Sequence, residues 1–258
     1  MARVRHVTSQ LDYYTFMGFN PEELRQRYAG YAERFEAGSR VLDVGCGRGE
    51  FLELLAARGV NGIGLDADAA MVEEVARKGL TAVAGDALPY LAAHTGEFDG
   101  IFAAHLVEHL RPESMSDLVV AAAGALKPAG RLLVVTPNPH NLQMQLNDFW
   151  IDLQHVRFYS PDILRWVFHE AGLRDVTVGE NQRYRSGPSL ANGARPSPPG
   201  PEAAARGRAR RLKSRAMRIL GRGAMRRRID ALEADLSLLQ DWMRGLYPAA
   251  EFFVTGLR

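Results

Sequence analysis

Short apolar runs alternate with stretches of helical periodicity over the first half of the chain. The runs predict β-strands, and the segments between them repeat apolar residues every three or four positions, which predicts helices. The predicted strands are 40–45, 61–66, 81–85, 98–103 and 131–136, and the predicted helices are 49–58, 68–78, 87–94 and 114–127. This alternation predicts βαβ units, in which helices cover both faces of a mainly parallel sheet.

Further elements flank this alternating region. A helix is predicted over 20–36, where Asn20 is a good N-cap and Pro21 suits the first helical position. Near the other end, the pattern predicts a helix over 161–172, a strand over 174–180 and a last strand over 251–256. These elements divide the chain into an N-terminal helical cap (1–38), a core (39–182), a linker with a basic amphipathic helical insertion (183–248) and a final core strand (249–258).

The insertion has a composition of its own. Residues 186–207 are rich in Gly, Pro, Ser and Ala, which predicts a flexible or extended linker. Residues 208–228 are basic and are predicted to be helical. The helix continues into an apolar stripe with spacings of four and three residues, formed by Met225, Ile229, Leu232, Leu236, Leu239 and Met243.

The charge of the chain is unevenly distributed. Residues 183–228 contain 14 Lys or Arg and one acid, a net charge of +13, whereas the whole chain carries only +2. We expect the 208–246 helix to dock on an anionic membrane surface or to self-associate, the alternative being a solvated helix on its own domain. Nucleic acid is disfavoured as a partner because the basic stretch has a single aromatic residue, Tyr184, for base stacking.

Bulk composition points to an ordinary globular protein. The 258 residues are 47% hydrophobic and 24% charged, and no apolar run approaches the ~18–20 residues that span a bilayer. Cys46 is the one cysteine, so no internal disulfide can form. The residues after Met1 lack the apolar core of a signal peptide. We therefore expect a cytoplasmic protein, with peripheral attachment at the inner membrane surface as an extension of the docking hypothesis.

A glycine-rich loop follows the first predicted strand. Asp43 ends the strand, and Gly45, Gly47 and Gly49 allow a tight turn and a close approach to a ligand. Asp66 ends the next strand, 17 residues after Gly49, where a carboxylate can accept both hydroxyls of a ribose. Asp86 follows the third strand and can accept a hydrogen bond from an adenine amino group. The loop lacks the lysine of a phosphate-binding loop, and its glycines are not spaced for a dinucleotide.

The segments V-L-D-V-G-C-G-R-G, G-L-D-A-D, G-D-A and L-K-P-A-G-R-L-L-V-V-T-P-N resemble, in order and spacing, the class I S-adenosylmethionine-dependent methyltransferases. The resemblance covers about residues 38–180. It implies an α/β fold with a Rossmann-like seven-stranded sheet, helices on both faces and an antiparallel last strand. It also implies S-adenosylmethionine as methyl donor, with the methionine part at Asp43, Gly45 and Gly47, the ribose at Asp66, and the adenine at Asp86 and Ala87. The predicted cofactor set further includes Cys46, Gly49, Ala67 and His105.

Cys46 has two interpretations. It could be a nucleophile, as in cytosine-carbon methylation, or a small residue that fills the loop. We favour the second, because no basic residue is evident nearby to activate the thiol.

The segment after the fourth strand carries His105, Glu108 and His109, which share one face if the segment is helical. His105 or His109 could act as a general base, since a histidine titrates near neutral pH. The three could bind a divalent metal, because ubiquinone-pathway O-methyltransferases place a similar Glu-His pair here. They could also be structural. We predict no metal, and we expect His105 to be the one that faces the substrate.

Polar and aromatic residues cluster after the fifth strand, at the edge where α/β sheets bind ligands. The pattern T-P-N-P…D-x-x-H-x-R-x-Y-S-P resembles the methyltransferases of surface-polysaccharide assembly. We expect His155 to take a proton from a sugar hydroxyl, and Arg157 to bind a phosphate or orient the acceptor. Trp150 and Tyr159 would stack on a sugar ring. The alternative is that His155 and Arg157 only tie the loop to the following helix.

The sequence therefore predicts an S-adenosylmethionine-dependent O-methyltransferase acting on a hydroxyl of a saccharide or glycosylated acceptor. Three competing hypotheses stay open. One is a small-molecule or quinone-type O-methyltransferase, one is a cofactor-binding scaffold whose function is the docking helix, and the last is a nucleic-acid methyltransferase.

Overall fold

The computed structural model describes residues 18–184, 230–239, 241–243 and 245–258. Seven strands lie in these ranges: β1 (Arg40–Val44), β2 (Asn61–Asp66), β3 (Ala82–Ala84), β4 (Phe98–Ala104), β5 (Leu126–Pro137), β6 (Arg174–Glu180) and β7 (Glu251–Leu257). They form one sheet in the order β3-β2-β1-β4-β5-β7-β6.

The sheet is parallel except at one strand. β1 pairs in parallel with β2 and β4, and Leu42 lies opposite Ile63 on one side and Ile101 on the other. β7 inserts between β5 and β6 and runs antiparallel to both. The predicted class I methyltransferase fold, with its antiparallel last strand, is thereby confirmed.

Six helices pack around this sheet: α1 (Pro21–Ala32), α2 (Glu50–Ala57), α3 (Ala69–Arg77), α4 (Ala87–Ala93), α5 (Pro112–Ala125) and α6 (Pro161–Glu170). Shorter helical turns occur at Val107–His109, Met144–Asp148 and Phe149–Ile151. α1 begins as predicted, because the Asn20 side chain accepts a hydrogen bond from the backbone N–H of Glu22 at 2.9 Å.

Two apolar layers enclose the sheet, one on each face. Val41 and Leu42 are both fully buried, yet Val41 packs in the cluster with Phe51 and Leu52, whereas Leu42 packs in the cluster with Leu118. Successive side chains of a strand point to opposite faces, so this division means that helices cover both faces of β1.

The structure differs from the prediction at the end of α5. The predicted helix 114–127 ends at Ala125, and β5 starts at Leu126, five residues before the predicted strand. A residue before proline is driven out of the helical conformation, so Pro128 forces Lys127 into the extended region. α1 also ends at Ala32, four residues earlier than predicted.

The chain is divided into two units, and the second comprises residues 187–247. The described part of this unit is helical over 230–239, 241–243 and 245–246. Leu232, Leu236 and Leu239 of the predicted stripe are exposed there. Met225, Ile229, the predicted 186–207 linker and the basic 208–228 helix lie outside the described residues, as do residues 1–17 of the predicted cap.

Candidate active site

A cavity of about 680 Å³ opens at the carboxyl edge of the sheet. Residues at the ends of β1, β2, β4 and β5 line it, as do the segment after β3, the N-terminal part of α1 and the loop after β5. Ligands of open α/β sheets bind at this edge, and the volume is in the range of small-molecule sites.

The predicted glycine loop forms one wall of the cavity. Gly45, Gly47 and Gly49 have φ angles of 74°, 51° and 83°, a region that favours glycine. Gly45 and Cys46 line the cavity, but Gly47 and Gly49 are not in its wall. A Cβ on Gly49 would lie 2.9 Å from Cγ2 of Val75, so this glycine serves the packing of α2 against α3.

Three carboxyl groups follow consecutive strands and all line the cavity: Asp43, Asp66 and Asp86. Asp66 accepts the backbone N–H of Gly47 through Oδ2 and that of Asp68 through Oδ1, both at 2.9 Å. Burial raises the pKa of Asp43 well above its usual range, and the nearby carboxylate of Asp66 raises it further. This end of the cavity therefore favours a ligand group with positive charge.

The Cys46 thiol is buried beside the same carboxyl groups. Burial, followed by the negative charge of Asp43, raises the pKa of the thiol far above its usual range. Cys46 thus fits the favoured interpretation as a small residue filling the loop.

His105 lies at the end of β4, on the cavity wall, with a left-handed φ of 52°. Its Nδ1 is 3.0 Å from Oε1 of Glu108 and its Nε2 is 3.0 Å from Oε2 of Glu251. Burial alone would lower the pKa of His105, but the two carboxylates outweigh burial and raise it. Nε2 also contacts the Arg27 guanidinium, so both ring nitrogens of His105 are engaged, and its general-base role stays a prediction.

Glu251 is fully buried at the start of β7 and was not predicted as a site residue. Its carboxylate binds the guanidinium of Arg27, and its Oε1 accepts hydrogen bonds from Tyr31 Oη at 2.8 Å and from Asn181 Nδ2 at 2.6 Å. Burial alone would raise the pKa of Glu251, but the charge of Arg27 and the hydrogen bond to His105 lower it. One carboxylate thus ties α1 to the ends of β4 and β6.

His155, in the loop after β5, lines the part of the cavity that is called the acceptor side below. Its Nδ1 is 2.7 Å from the carbonyl oxygen of Phe149, and its Nε2 is 3.6 Å from Oδ2 of Asp152. Burial lowers the pKa of His155, which keeps the ring neutral near neutral pH. Because Nδ1 donates its proton to a carbonyl, the basic lone pair of the ring is on Nε2.

His109 lies against His155, with ring centroids 4.8 Å apart and the ring planes tilted by 53°, and it also lines the cavity. Its Nδ1 is buried and has no hydrogen-bond partner among the described residues. His109 is therefore the second histidine of the acceptor side.

The model of the family described as "Methyltransferase domain" matches residues 16–178, more than half of the chain. The chain belongs to the methyltransferase domain family.

Curated relatives and a solved structure resemble this methyltransferase. The ubiquinone biosynthesis O-methyltransferase of Thiobacillus denitrificans is 38% identical over 153 residues, which are 53% of this chain and 65% of the relative. The enzyme of the same name from Aromatoleum aromaticum is 35% identical over 160 residues, 55% of this chain and 67% of the relative. A SAM-dependent methyltransferase from Archaeoglobus fulgidus has a TM-score of 0.72 at 25% identity, covering 96% of this chain and 99% of that one.

The match spans less than two thirds of the Thiobacillus denitrificans relative and 43% of a further relative from Xylella fastidiosa. The predicted methyltransferase class and its methyl donor, S-adenosylmethionine, are confirmed at the level of the family. None of the helices within the described ranges is both long and apolar enough to cross a membrane.

The cofactor end of the methyltransferase cavity fits S-adenosylmethionine. A carboxylate oxygen has two lone pairs, so each Asp66 oxygen keeps one for a ribose hydroxyl after accepting a backbone N–H. Asp43 would hold the positively charged methionine part beside the glycine loop, and Asp86 would face the adenine. Ala67 and Ala87 also line the cavity, as predicted.

Three predicted acceptor residues do not line the cavity: Trp150, Arg157 and Tyr159. Trp150 is 62% exposed, and its Nε1 donates to the carbonyl of Gln145 at 2.7 Å. Tyr159 is buried and donates to the carbonyl of Leu110 at 2.8 Å. The Arg157 guanidinium lies 5.1 Å from the ring centre of Tyr159. The predicted stacking roles of Trp150 and Tyr159 and the phosphate contact of Arg157 therefore have no counterpart in the described cavity wall, and they stay predictions.

Glu108, His109 and His155 offer ligand atoms that all lie within 4.8 Å of one another. Two imidazoles and a carboxylate are donors that divalent transition metals accept. Both Glu108 oxygens are already engaged, however, Oε1 by His105 and Oε2 by Thr136 Oγ1, each at 3.0 Å. A metal here would share each Glu108 oxygen with its present partner through the remaining lone pair, so these hydrogen bonds do not decide the matter and the expected absence of a metal stays a prediction.

Sequence reasoning assigned no role to Arg27, Tyr28 and Tyr184, which come from distant segments, or to Asp148, Asp152 and Gln154 in the loop after β5. A signal existed for Asp152, which belongs to the D-x-x-H-x-R pattern. A second signal existed for Glu251. It is an acid directly before the apolar run Phe252–Val254, where an ordinary buried strand would carry no charge.

Proposed function

We propose that this protein transfers a methyl group from S-adenosylmethionine to a hydroxyl of a small aromatic, quinone-type acceptor. The observation that carries the proposal is the neutral ring of His155, whose basic atom is Nε2. This ring lines the same cavity as the glycine loop. Two curated relatives are named ubiquinone biosynthesis O-methyltransferases, and these names support transfer of the methyl group to an oxygen.

When bound, S-adenosylmethionine supplies an electrophilic methyl group on its sulfonium. The protein would hold the acceptor oxygen in line with that group, since positioning is the main contribution of such a site. His155 would accept the hydroxyl proton at Nε2, while the carbonyl of Phe149 keeps the opposite nitrogen protonated. The Asp152 carboxylate, 3.6 Å from Nε2, would stabilise the imidazolium that forms.

The acceptor-side walls suit a flat aromatic ring better than a sugar. Tyr28, Tyr184, Met144 and Ile151 contribute rings and apolar side chains to the cavity. The residues expected to stack on a sugar and to bind its phosphate are not in the wall. We therefore prefer the quinone-type acceptor to the saccharide acceptor that the sequence first indicated.

A panel assay tests this choice. The purified protein is incubated with methyl-labelled S-adenosylmethionine and either catechol-type compounds or free sugars, nucleotide sugars and lipid-linked glycans. We expect label on the catechol oxygens and none above background on the glycans. Transfer to a glycan with no transfer to any catechol would overturn the proposal in favour of the saccharide hypothesis.

We also propose that the 208–246 helix docks on an anionic membrane surface or self-associates. The net charge of +13 on residues 183–228 supports docking on an anionic surface, while the exposed Leu232, Leu236 and Leu239 support an apolar contact. Co-sedimentation with vesicles containing phosphatidylglycerol, but not with neutral phosphatidylcholine vesicles, is the expected result. Equal recovery with both kinds of vesicle would remove the electrostatic docking hypothesis.

A further inference from the structure

Two carboxyl groups stand on the acceptor side of the cavity, apart from those of the cofactor end. Asp148 lines the cavity and accepts hydrogen bonds at Oδ1 from Gln143 Nε2 at 3.0 Å and from Asn147 Nδ2 at 2.9 Å. Asp152 also lines it and accepts the backbone N–H of Gln154 at 2.8 Å. All three donors are uncharged amides, so they leave the negative charge of both groups in place.

The positive groups of the cavity are already neutralised. Among the described lining residues, Arg27 is the one Lys or Arg, and its guanidinium is bound to the buried carboxylate of Glu251. The same carboxylate oxygen, Oε2, also lies 3.0 Å from Nε2 of His105, whose second nitrogen meets Glu108. Arg27 and His105 are therefore matched by two buried carboxylates that do not themselves line the cavity.

Arg27 is also sterically engaged. Its guanidinium lies 3.7 Å from the ring centre of Tyr184, so a face of the cation is covered by an aromatic ring. An incoming anion would have to compete with Glu251 at one side and Tyr184 at the other. Arg157, the cation expected to bind a phosphate, lies outside the cavity wall.

We infer that the acceptor is an uncharged hydroxyl compound, and that Asp148 and Asp152 select against acceptors bearing a carboxylate or phosphate. This inference rests on the proposed function and concerns the specificity of the same site. Repulsion between like charges is weakly screened inside a partly enclosed cavity, so an anionic acceptor would meet an unfavourable field, with no unpaired Lys or Arg among the described lining residues to offset it.

Matched acceptors that differ only in charge provide the test. The probes are 3,4-dihydroxyphenylacetamide, its isosteric anion 3,4-dihydroxyphenylacetate and the cation 3,4-dihydroxyphenethylamine, each assayed for methyl transfer at saturating S-adenosylmethionine. We expect kcat/KM for the acetate to be lower than for the amide by about tenfold or more, as like-charge repulsion at a few ångströms implies. We expect the amine to equal or exceed the amide. An acetate that is as good as the amide overturns the inference.

Variants identify the source of the discrimination. Asp148→Asn keeps the shape and an acceptor oxygen but removes the charge, so the amide-to-acetate ratio should fall by about threefold or more. Asp117→Asn, at an exposed position of α5, removes the same charge away from the cavity and should leave the ratio unchanged. An unchanged ratio in a folded Asp148→Asn/Asp152→Asn double variant would contradict the assignment.

A binding measurement distinguishes failure of the charge inference from failure of the proposed function. If no probe is methylated, the proposed function fails. Calorimetric titration of the acetate and the amide into the protein saturated with S-adenosylhomocysteine then still tests the charge inference. Tighter binding of the amide supports the inference, while equal binding, tighter binding of the acetate or no binding of either overturns it.

Discussion

The Nδ1 atom of His155 lies 2.7 Å from the carbonyl oxygen of Phe149. This single contact determines what the ring can do, because a carbonyl oxygen accepts a hydrogen bond and cannot donate one. The proton of the neutral ring is thereby held on Nδ1, and Nε2 is left as the basic atom of a ring that lines the cavity. Asp152 then lies close enough to stabilise the charged ring once Nε2 takes up a proton.

The pH dependence of the reaction should reflect this histidine. A general base must be unprotonated, and burial lowers the pKa of His155 below the ordinary histidine value. We therefore expect kcat/KM to stay high as the pH falls through about 6.5 and to decline only below that value. The measurement is kcat/KM for catechol between about pH 5 and pH 8. A decline that begins above the ordinary histidine value would argue for a different base.

Glu251 should matter greatly for stability. Replacing it by Gln leaves the Arg27 guanidinium buried without its counter-charge, and removing one partner of a buried pair costs about 3–5 kcal/mol. We expect a loss of that order in the free energy of unfolding, measured by urea denaturation. The double variant Arg27→Met/Glu251→Gln should recover part of the loss, since it removes both charges. A loss below about 1 kcal/mol in the single variant would mean that the network is loosely held.

Much of this fold could be predicted from the sequence, because its signals are local. The strands β2 to β4 end at an acid or an alanine, and each apolar run is separated from the next by helical periodicity. The change from α5 to β5 was misplaced because Leu126 is apolar and continues the helical pattern. The decisive feature was Pro128, whose restriction of Lys127 outweighs that pattern.

The cofactor end of the site could also be predicted from local sequence signals, but the acceptor side could not. The cofactor end is built from residues within one βαβ unit and the strand after it, so Asp43, Asp66 and Asp86 could be placed by spacing. The acceptor side depends on contacts across the chain, such as Arg27 with Glu251, which are 224 residues apart. His105 lines the cavity, but its left-handed φ and its two carboxylate partners have no local sequence signal.

Cofactor affinity should depend on the second oxygen of Asp66. Both oxygens are needed if each accepts one ribose hydroxyl in addition to a backbone N–H. Asp66→Asn replaces one acceptor by a donor and removes the charge, which costs about 1.5–3 kcal/mol or roughly tenfold to a hundredfold in affinity. Isothermal titration with S-adenosylhomocysteine measures the change. Asp117→Asn serves as the charge control, and unchanged affinity in Asp66→Asn would remove this aspartate from the cofactor site.

Chelation distinguishes free imidazoles from metal ligands at His109 and His155. The proposed base is the neutral His155 and no metal is predicted, so we expect methyl transfer to continue at its full rate after dialysis against EDTA. Loss of activity that zinc or magnesium restores, together with retention of the fold by circular dichroism, would support a metal-assisted reaction at Glu108, His109 and His155 instead.

The most direct test of the account is the single-turnover rate of methyl transfer to catechol, compared between the wild-type protein and His155→Ala at saturating S-adenosylmethionine. A positioned general base contributes about 10²–10⁴-fold, so we predict that the rate falls by about 100-fold or more. The exposed His140, replaced in the same way, provides the matched control and should keep the wild-type rate. A His155→Ala variant that folds, binds the cofactor and transfers the methyl group within about threefold of the wild-type rate would contradict the central claim.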